Sequence, residues 1–200
     1  MTGAGTRRRT QAERRAEAER RLLEATKAVI GEHGVGAVTF AAVGARAGYS
    51  RGIITHHFGS RRGLMETLAR SLQGLVPPAP SELVGRERVL AQVDLYLQTL
   101  QEHPRDTRVF AMLWAEAIAG DPDLRVIFAE RDADFRDSFA RALGQAGTEG
   151  TITGLDPDAT AMAIVGQLRG IGLQLVLTDE APDFPRLRRT IARLLGFGLG

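Results

Sequence analysis

One short segment of the chain combines side chains that can form hydrogen bonds with the edges of nucleic-acid bases. In the stretch YSRGIITHHF, a serine that can cap a helix is followed by an arginine, a glycine and several polar residues. Arginine can bridge O6 and N7 of guanine, and glycine lets the backbone approach closely, so Arg51 is the best candidate for reading a base. The residues expected on or near the exposed N-terminal face of this helix are Tyr49, Ser50, Arg51, Gly52, Ile53, Thr55 and His56.

Three further residues in and around this segment are suited to holding phosphate groups. Thr39, His57 and Arg61 can each donate a hydrogen bond to a phosphate oxygen, and helix N-termini add backbone donors. A metal site at His56 and His57 is not expected, because adjacent residues on a helix diverge by about 100° and no third ligand lies near. Ile54 is expected to point the other way, into a small core.

Carboxylates are clustered further along the chain, but basic residues alternate with them. This pattern predicts a solvated, ion-paired helix face, and a metal or acid–base site is not expected there. The chain has no cysteine, so thiolate metal sites and cysteine nucleophiles are excluded. We therefore expect no enzyme, no cofactor and no metal. The residues of this cluster are Glu130, Arg131, Asp132, Asp134, Arg136, Asp137 and Arg141.

The elements that must position the base-contacting segment are short helices separated by glycines. Thr39, Ser50 and Ser60 are each predicted to cap the start of a helix, and Gly48 and Gly59 to end the first two. A longer amphipathic helix precedes them from about residue 13. Two short helices joined by a tight glycine turn are typical of a helix-turn-helix.

The rest of the chain shows further helical patterns and no convincing strand alternation. The sequence therefore predicts an all-α protein of about nine helices, in which a three-helix helix-turn-helix domain precedes a larger helical domain. Pro77–Ser81 is the clearest linker. We expect a disordered basic arm at 1–12, a helix-turn-helix domain at 13–76 whose connecting helix spans 61–76, and a second domain at 77–200.

Charge is divided unevenly between these parts. The net charge is +2, but residues 1–76 hold 13 basic against 6 acidic residues, and residues 77–200 hold 13 against 18. A basic first third on an acidic remainder suggests that the N-terminal part binds a polyanion. No apolar stretch approaches the ~20 residues that span a bilayer, and the start of the chain lacks a signal peptide, so we expect a cytoplasmic protein without membrane contact.

The segment TFAAVGARAGYSRGIITHHFGSR, from Thr39 to Arg61, resembles the DNA-binding signature of the TetR-type repressors. Three positions depart from the family pattern. Thr55 stands where a tyrosine is usual, Gly44 replaces an alanine at a cost of roughly 1 kcal/mol of helix propensity, and Ala41 occupies a position where some members place a polar base-reading residue. The region around Trp114 and the stretch from Leu168 to Leu175 resemble one subclass of the regulatory domain.

The resemblance implies a regulator that binds a palindromic operator in double-stranded DNA and responds to a small, largely apolar effector of unknown identity. The middle helices would then enclose a cavity, although for each apolar residue packing in an ordinary core is the competing interpretation. The candidate ligand-binding residues are Leu68, Leu72, Val93, Tyr96, Leu100, Phe110, Leu113, Trp114, Ala117, Phe128, Phe135, Leu168 and Arg169.

The resemblance also implies a homodimer formed by the last two helices. Glycines at Gly166, Gly170 and Gly172 would permit close helix approach, with packing inside one chain as the alternative. The candidate dimer residues are Leu168, Ile171, Leu175, Leu187, Ile191 and Leu194.

Together these features predict a dimeric, ligand-responsive repressor whose connecting helix transmits effector binding to the DNA-binding domain. A transcriptional activator on the same fold, and a small helical enzyme or ligand carrier, are the alternatives. For the basic residues Arg7–Arg9, an unstructured solvated arm and a minor-groove contact both stay open.

Overall fold

The computed structural model describes residues 10–148, 154, 156–178 and 182–194, and these residues form helices and connections without a β-strand. This all-α architecture confirms the prediction from sequence. Within the described residues, a single 3-10 turn at Val35–Ala37 separates the first two helices. The helices are α1 (Gln11–His33), α2 (Phe40–Ala47), α3 (Arg51–Phe58), α4 (Arg61–Gln73), α5 (Gly85–Glu102), α6 (Pro104–Ala119), α7 (Pro122–Thr148), α8 (Pro157–Leu177) and α9 (Phe184–Leu194).

The predicted capping residues start the helices. The Thr39 side chain accepts a hydrogen bond from the Ala42 N–H at 3.1 Å, and Ser50 accepts one from the Ile53 N–H at 3.4 Å. A cap that the sequence interpretation missed lies at Thr10, whose side chain accepts from the Glu13 N–H. These bonds satisfy backbone donors that have no partner inside the helix.

Three helix boundaries differ from expectation. The cap at Thr10 starts α1 two residues earlier than predicted, and α4 ends at Gln73 instead of Val76. The glycines from Gly144 to Gly154 also predict a loop, but α7 continues to Thr148, and Ala146 extends its buried face. Most of the arm predicted at 1–12, including Arg7–Arg9, lies outside the described residues.

The chain divides into two compact units between Leu68 and Ala69, within α4. The functional boundary that we expected after residue 76 stays a prediction. In the first unit, α1 packs against α2 and the 3-10 turn, and α2 packs against α3. Buried residues from each of these helices and the start of α4 form its core: Leu22, Ile30, Val43, Ile54, Leu64 and Met65.

Gly44 determines how closely α2 approaches the turn that follows it. A Cβ atom at this position would lie 2.5 Å from the Tyr49 carbonyl oxygen and 3.3 Å from the Ile54 side chain. The turn itself uses Gly48 in the left-handed conformation, with φ of 75°. Packing therefore requires a glycine at this position. The lower helix propensity of glycine alone does not describe its effect on stability here.

The second unit is built around α7, which packs against α5, α6 and α8, while α9 packs against α5. Its core contains Val89, Leu97, Phe139, Ile164 and Leu168. Helix α8 is long and apolar enough to cross a membrane, with a mean hydropathy of 1.4. Core helices of water-soluble proteins meet the same criterion, and α8 packs against α5, α6 and α7 in this unit.

Candidate nucleic-acid interface and ligand cavity

Helix α3 presents most of the predicted base-contacting residues to solvent. Arg51, Gly52, Thr55 and His56 are exposed, and Ile53 is 40% exposed. Since these residues lie on one short helix, the structure brings them together on a single outward surface, which we call the α3 surface.

The opposite side of α3 anchors the helix. Ile54 is fully buried, as predicted, and Phe58 is half-buried. Of the two residues that precede the helix, Tyr49 is half-buried, and Ser50 is exposed while its hydroxyl caps α3. The α3 surface is thus fixed by one buried side chain and a cap.

Arg61, which was predicted to be suited to holding phosphate, also bonds to the fold. Its Nε donates to the Val38 carbonyl at 3.2 Å, and its Nη2 donates to the Val35 carbonyl at 3.3 Å. Both carbonyls belong to the 3-10 turn region, so the guanidinium links α4 to that turn. A phosphate contact by Arg61 stays a prediction, and these bonds give the residue a structural role.

His57 is also less available than predicted. It is half-buried, and its Nδ1 is buried without a hydrogen-bond partner among the described residues. Burial, followed by the nearby positive charge of Arg15, lowers the pKa of the His57 imidazole, and Glu19 opposes this shift. A neutral imidazole binds phosphate more weakly than an imidazolium. Of the three predicted phosphate-binding residues, only Thr39 is exposed to solvent.

A cavity of about 380 Å³ lies within the second unit, which is a size typical of small-molecule sites. Seven of the predicted ligand-binding residues line its wall: Leu72, Tyr96, Leu100, Phe110, Trp114, Phe135 and Arg169.

The other six predicted ligand-binding residues do not line this cavity. All six are buried in packing between helices, which is the competing interpretation of an apolar helix face, and Leu68 belongs to the first unit. Periodicity identifies the inward face of a helix but does not distinguish a filled interior from a cavity. The six residues are Leu68, Val93, Leu113, Ala117, Phe128 and Leu168.

The proline-rich segment forms part of the cavity wall, although the sequence suggested only a linker. Val76, Pro77, Pro78 and Ala79 all line the cavity, and Ala79 is only 6% exposed. The sequence did not predict the polar residues of the lining either. A single polar residue on an amphipathic helix has the same pattern in sequence as a residue that faces solvent. These residues are Gln73, Arg88, Gln92, Thr99, His103, Asp106, Thr107, Arg131, Asp134 and Ser138.

Arg169 is a charged residue of the cavity wall that is held by two partners. Its side chain is 12% exposed; Nη2 donates to Asp132 at 2.8 Å and Nη1 donates to the Tyr96 hydroxyl at 3.3 Å. Burial alone would lower the pKa of Arg169, but Tyr96 and Asp132 raise it above its ordinary value. The guanidinium therefore remains charged inside the cavity.

The predicted solvated carboxylate face is only partly correct. Asp134 and Asp137 are exposed, but Asp132 is 19% exposed and paired with Arg169, and Arg131 lines the cavity. Burial, together with the positive charge of Arg70, lowers the pKa of Arg131. One side of this part of α7 therefore faces the cavity. In the described residues no group of three or more histidine or acidic side chains could hold a metal ion.

Two of the predicted dimer residues are committed to the core of a single chain. Leu168 is fully buried and Ile191 is 1% exposed, so neither is available to a second copy. Ile171, Leu175 and Leu187 are half-buried against the same core, and Leu194 is 68% exposed. The exposed apolar surface of α8 lies elsewhere on the helix, at Met162 and Leu177, which are 67% and 85% exposed.

Comparison with known proteins gives matches to both parts of the chain. Residues 22–68 match the family model described as bacterial regulatory proteins of the tetR family. Residues 85–196 match the model described as the C-terminal part of BetI-type transcriptional repressors. The HTH-type transcriptional regulator BetI of Cronobacter sakazakii is 28% identical over 176 residues, covering 80% of this chain and 87% of the relative.

Solved structures share the fold of most of the chain. A TetR-family transcriptional regulator from Rhodococcus sp. superposes with a TM-score of 0.77 at 22% identity, covering 90% of this chain and 97% of the other. A transcriptional regulator from Saccharomonospora viridis, determined in complex with choline, gives a TM-score of 0.71 at 21% identity, covering 90% and 96%. At these identities the likeness establishes the fold.

Proposed function

Because this chain belongs to the TetR family, with a BetI-type C-terminal domain, and is a ligand-responsive DNA-binding transcriptional repressor, we propose that it binds a palindromic operator as a dimer and leaves it when an effector occupies the cavity. The observation that carries this proposal is the pairing of two features in one chain. The first unit contains the α3 surface, and the second contains a cavity lined by aromatic and charged side chains.

The α3 surface supports base recognition by Arg51. Its side chain is exposed at the first position of α3, and N-terminal residues of a recognition helix contact base edges in helix-turn-helix proteins. Gly52 beside it allows the backbone to come close to DNA, while Thr39 and the N-terminus of α2 can contact phosphate.

A footprint on the DNA upstream of the protein's own coding sequence tests operator binding. We expect protection of two half-sites related by a two-fold axis and about one helical turn apart. Protection without such symmetry, or equal affinity for any DNA of the same length, would contradict the proposal.

An apolar stripe on α8 supports the dimer. Met162, Gly166, Gly170 and Leu177 recur at intervals of about one or two turns and so share one side of the helix. Met162 and Leu177 are largely exposed, and nothing lies within 4 Å of a Cβ placed on Gly166. We propose that this stripe, together with the exposed Leu194, contacts a second copy. It replaces the buried Leu168 and Ile191 of the prediction from sequence.

Sedimentation analysis of Gly166→Arg tests this face. The substitution places a charge where the single chain has open space, so folding should persist while the dimer dissociates. Ala129→Arg, at an exposed position of α7, is the matched control and should remain dimeric. A dimer that survives Gly166→Arg would require another interface.

Effector release is the remaining part of the proposal. An effector can shift the repressor only if it binds the released conformer more tightly than the DNA-bound one. The choline complex of the Saccharomonospora viridis protein shows that a member of this fold class holds a small organic molecule.

A transcriptional regulator of this kind works in the cytoplasm and needs no catalytic group or cofactor. Loss of the operator footprint on adding a ligand that binds the cavity would support release.

A further inference from the structure

The aromatic side chains of the cavity surround a positive charge that belongs to the protein. The Arg169 guanidinium carbon lies 4.6 Å from the centre of the Phe110 ring, 5.4 Å from that of Phe135 and 5.8 Å from that of Tyr96. Rings placed in this way can bind an organic cation by cation–π attraction. Here Arg169 already occupies that environment, so a cationic ligand would meet a like charge.

Two guanidinium groups in the cavity wall have unused donors. The Nε atoms of Arg131 and Arg169 are buried, and neither has a hydrogen-bond partner. The other two nitrogens of the Arg169 guanidinium donate to Asp132 and Tyr96. Arg131 forms no hydrogen bond or ion pair within the described part of the chain. Arg131 also lines the cavity, so its guanidinium can donate to a ligand that accepts hydrogen bonds.

The charges around Arg131 favour a negative ligand. Arg70 and Arg169 act on Arg131 in the same direction, and Asp134, which opposes them, is exposed. The carboxylate of Asp132 compensates Arg169 through its 2.8 Å bond. The other charged side chains of the lining are Arg88, Asp106 and Asp134, and Arg131 itself forms no ion pair in the described part of the chain.

We propose that the effector is an organic anion, a carboxylate with an apolar body. Its carboxylate accepts hydrogen bonds from the Arg131 guanidinium, and its body packs against Phe110, Phe135 and Trp114. Bidentate binding of carboxylates is the geometry to which a guanidinium is suited. The inference rests on the proposed function, because it treats this cavity as the effector site.

Calorimetric titration of the full-length protein with three probes of equal chain length tests the charge preference. The probes are octanoate, 1-octanol and octyltrimethylammonium. We expect octanoate to bind at least tenfold more tightly than either of the others, as a hydrogen bond to a charged group contributes that much. Tighter binding of octyltrimethylammonium, or no octanoate binding at millimolar concentration, would overturn the proposal.

Variants of α7 test the assignment to Arg131. Arg131→Gln should weaken octanoate binding at least tenfold, and Arg131→Lys should restore part of it by returning the charge. Arg141→Gln removes an exposed arginine from the same helix and should bind octanoate as the wild type does. Unchanged affinity in Arg131→Gln would overturn the assignment, and a thermal melt of each variant establishes that it is folded.

The failure of this inference and that of the proposed function give different results. If the protein binds its operator but ignores octanoate, only the anion site is wrong. If octanoate binds through Arg131 but the protein protects no palindromic DNA, the anion site stands and the proposed function is wrong.

Discussion

The Arg169 guanidinium and the Phe110 ring are in cation–π contact, with the guanidinium carbon 4.6 Å from the ring centre. The same guanidinium is paired with Asp132, whose side chain is only 19% exposed. A single residue of α8 thus joins an aromatic wall on α6 to a carboxylate on α7. Its charge lies in the cavity wall, where a cationic ligand would meet it.

Removal of Arg169 should destabilise the protein strongly. Arg169→Met leaves Asp132 as a buried, unpaired charge, for which losses of about 3–5 kcal/mol in the free energy of unfolding are typical. Urea denaturation measures the effect. The double variant with Asp132→Asn removes the orphaned charge and should recover part of the loss, and a variant with wild-type stability would show that the pair contributes nothing.

Removal of Arg131 should stabilise the ligand-free protein, whereas removal of Arg169 should destabilise it. Arg131→Gln eliminates a guanidinium that has no ion-pair partner in the described structure, so the free energy of unfolding should rise by about 1 kcal/mol. Denaturation of ligand-free protein checks this, with Arg141→Gln as the surface control. A clear loss of stability would indicate that Arg131 holds the fold together.

Gly44 should tolerate no side chain. Gly44→Ala places a methyl group 2.5 Å from the Tyr49 carbonyl oxygen, and we expect a loss of about 1–3 kcal/mol from the forced displacement. Gly31→Ala, in α1 with nothing within 4 Å of the added Cβ, is the control and should gain up to about 1 kcal/mol from helix propensity. Similar changes in both melts would mean that the turn adjusts freely.

Substitution of Arg51 should weaken DNA binding, and substitution of Arg61 should lower the stability of the fold. Arg51→Ala should cost about 1–3 kcal/mol in binding to the operator and less for random DNA, without loss of stability. Arg61→Ala should lower stability, because the hydrogen bonds from its guanidinium to the Val35 and Val38 carbonyls are lost. Competition binding and thermal melts of both variants test this, and equal losses on both DNAs would make Arg51 a phosphate contact.

Stability should decline in mild acid through His57. Its pKa in the folded state lies below the ordinary value of 6.5, so the unfolded state binds the proton more readily. The contribution is complete above pH 6.5 and is lost as the pH falls from 6.5 through the lowered pKa. His57→Gln should flatten this part of the profile of unfolding free energy, whereas His56→Gln should retain the decline.

The sequence was sufficient to predict the helices of the described chain because their signals are local. Thr39 and Ser50 cap helices where predicted, and Gly48 takes the left-handed conformation that ends α2. The exposed α3 surface follows from the same local information. A cap and one buried apolar residue, Ile54, determine which side of a two-turn helix faces outward.

What could not be predicted depends on residues distant in sequence. Arg169 meets Tyr96 across 73 positions, and Arg61 meets Val38 across 23. Neither pairing has a local signal, so Arg61 looked like a free surface cation. Likewise, Leu168 and Leu100 occupy similar apolar faces, yet only Leu100 lines the cavity, because vacant space depends on how several helices pack.

The close contact at Gly44 has a consequence for how operator preference could change over evolutionary time. The turn between α2 and α3 is held by backbone hydrogen bonds from Gly48 and Tyr49 to the Gly44 carbonyl, while Arg51, Thr55 and His56 face solvent. The glycine and backbone groups that hold this turn are therefore separate from the three exposed side chains proposed to contact DNA. Substitutions on the α3 surface can redirect the protein to a new target gene while its scaffold stays intact.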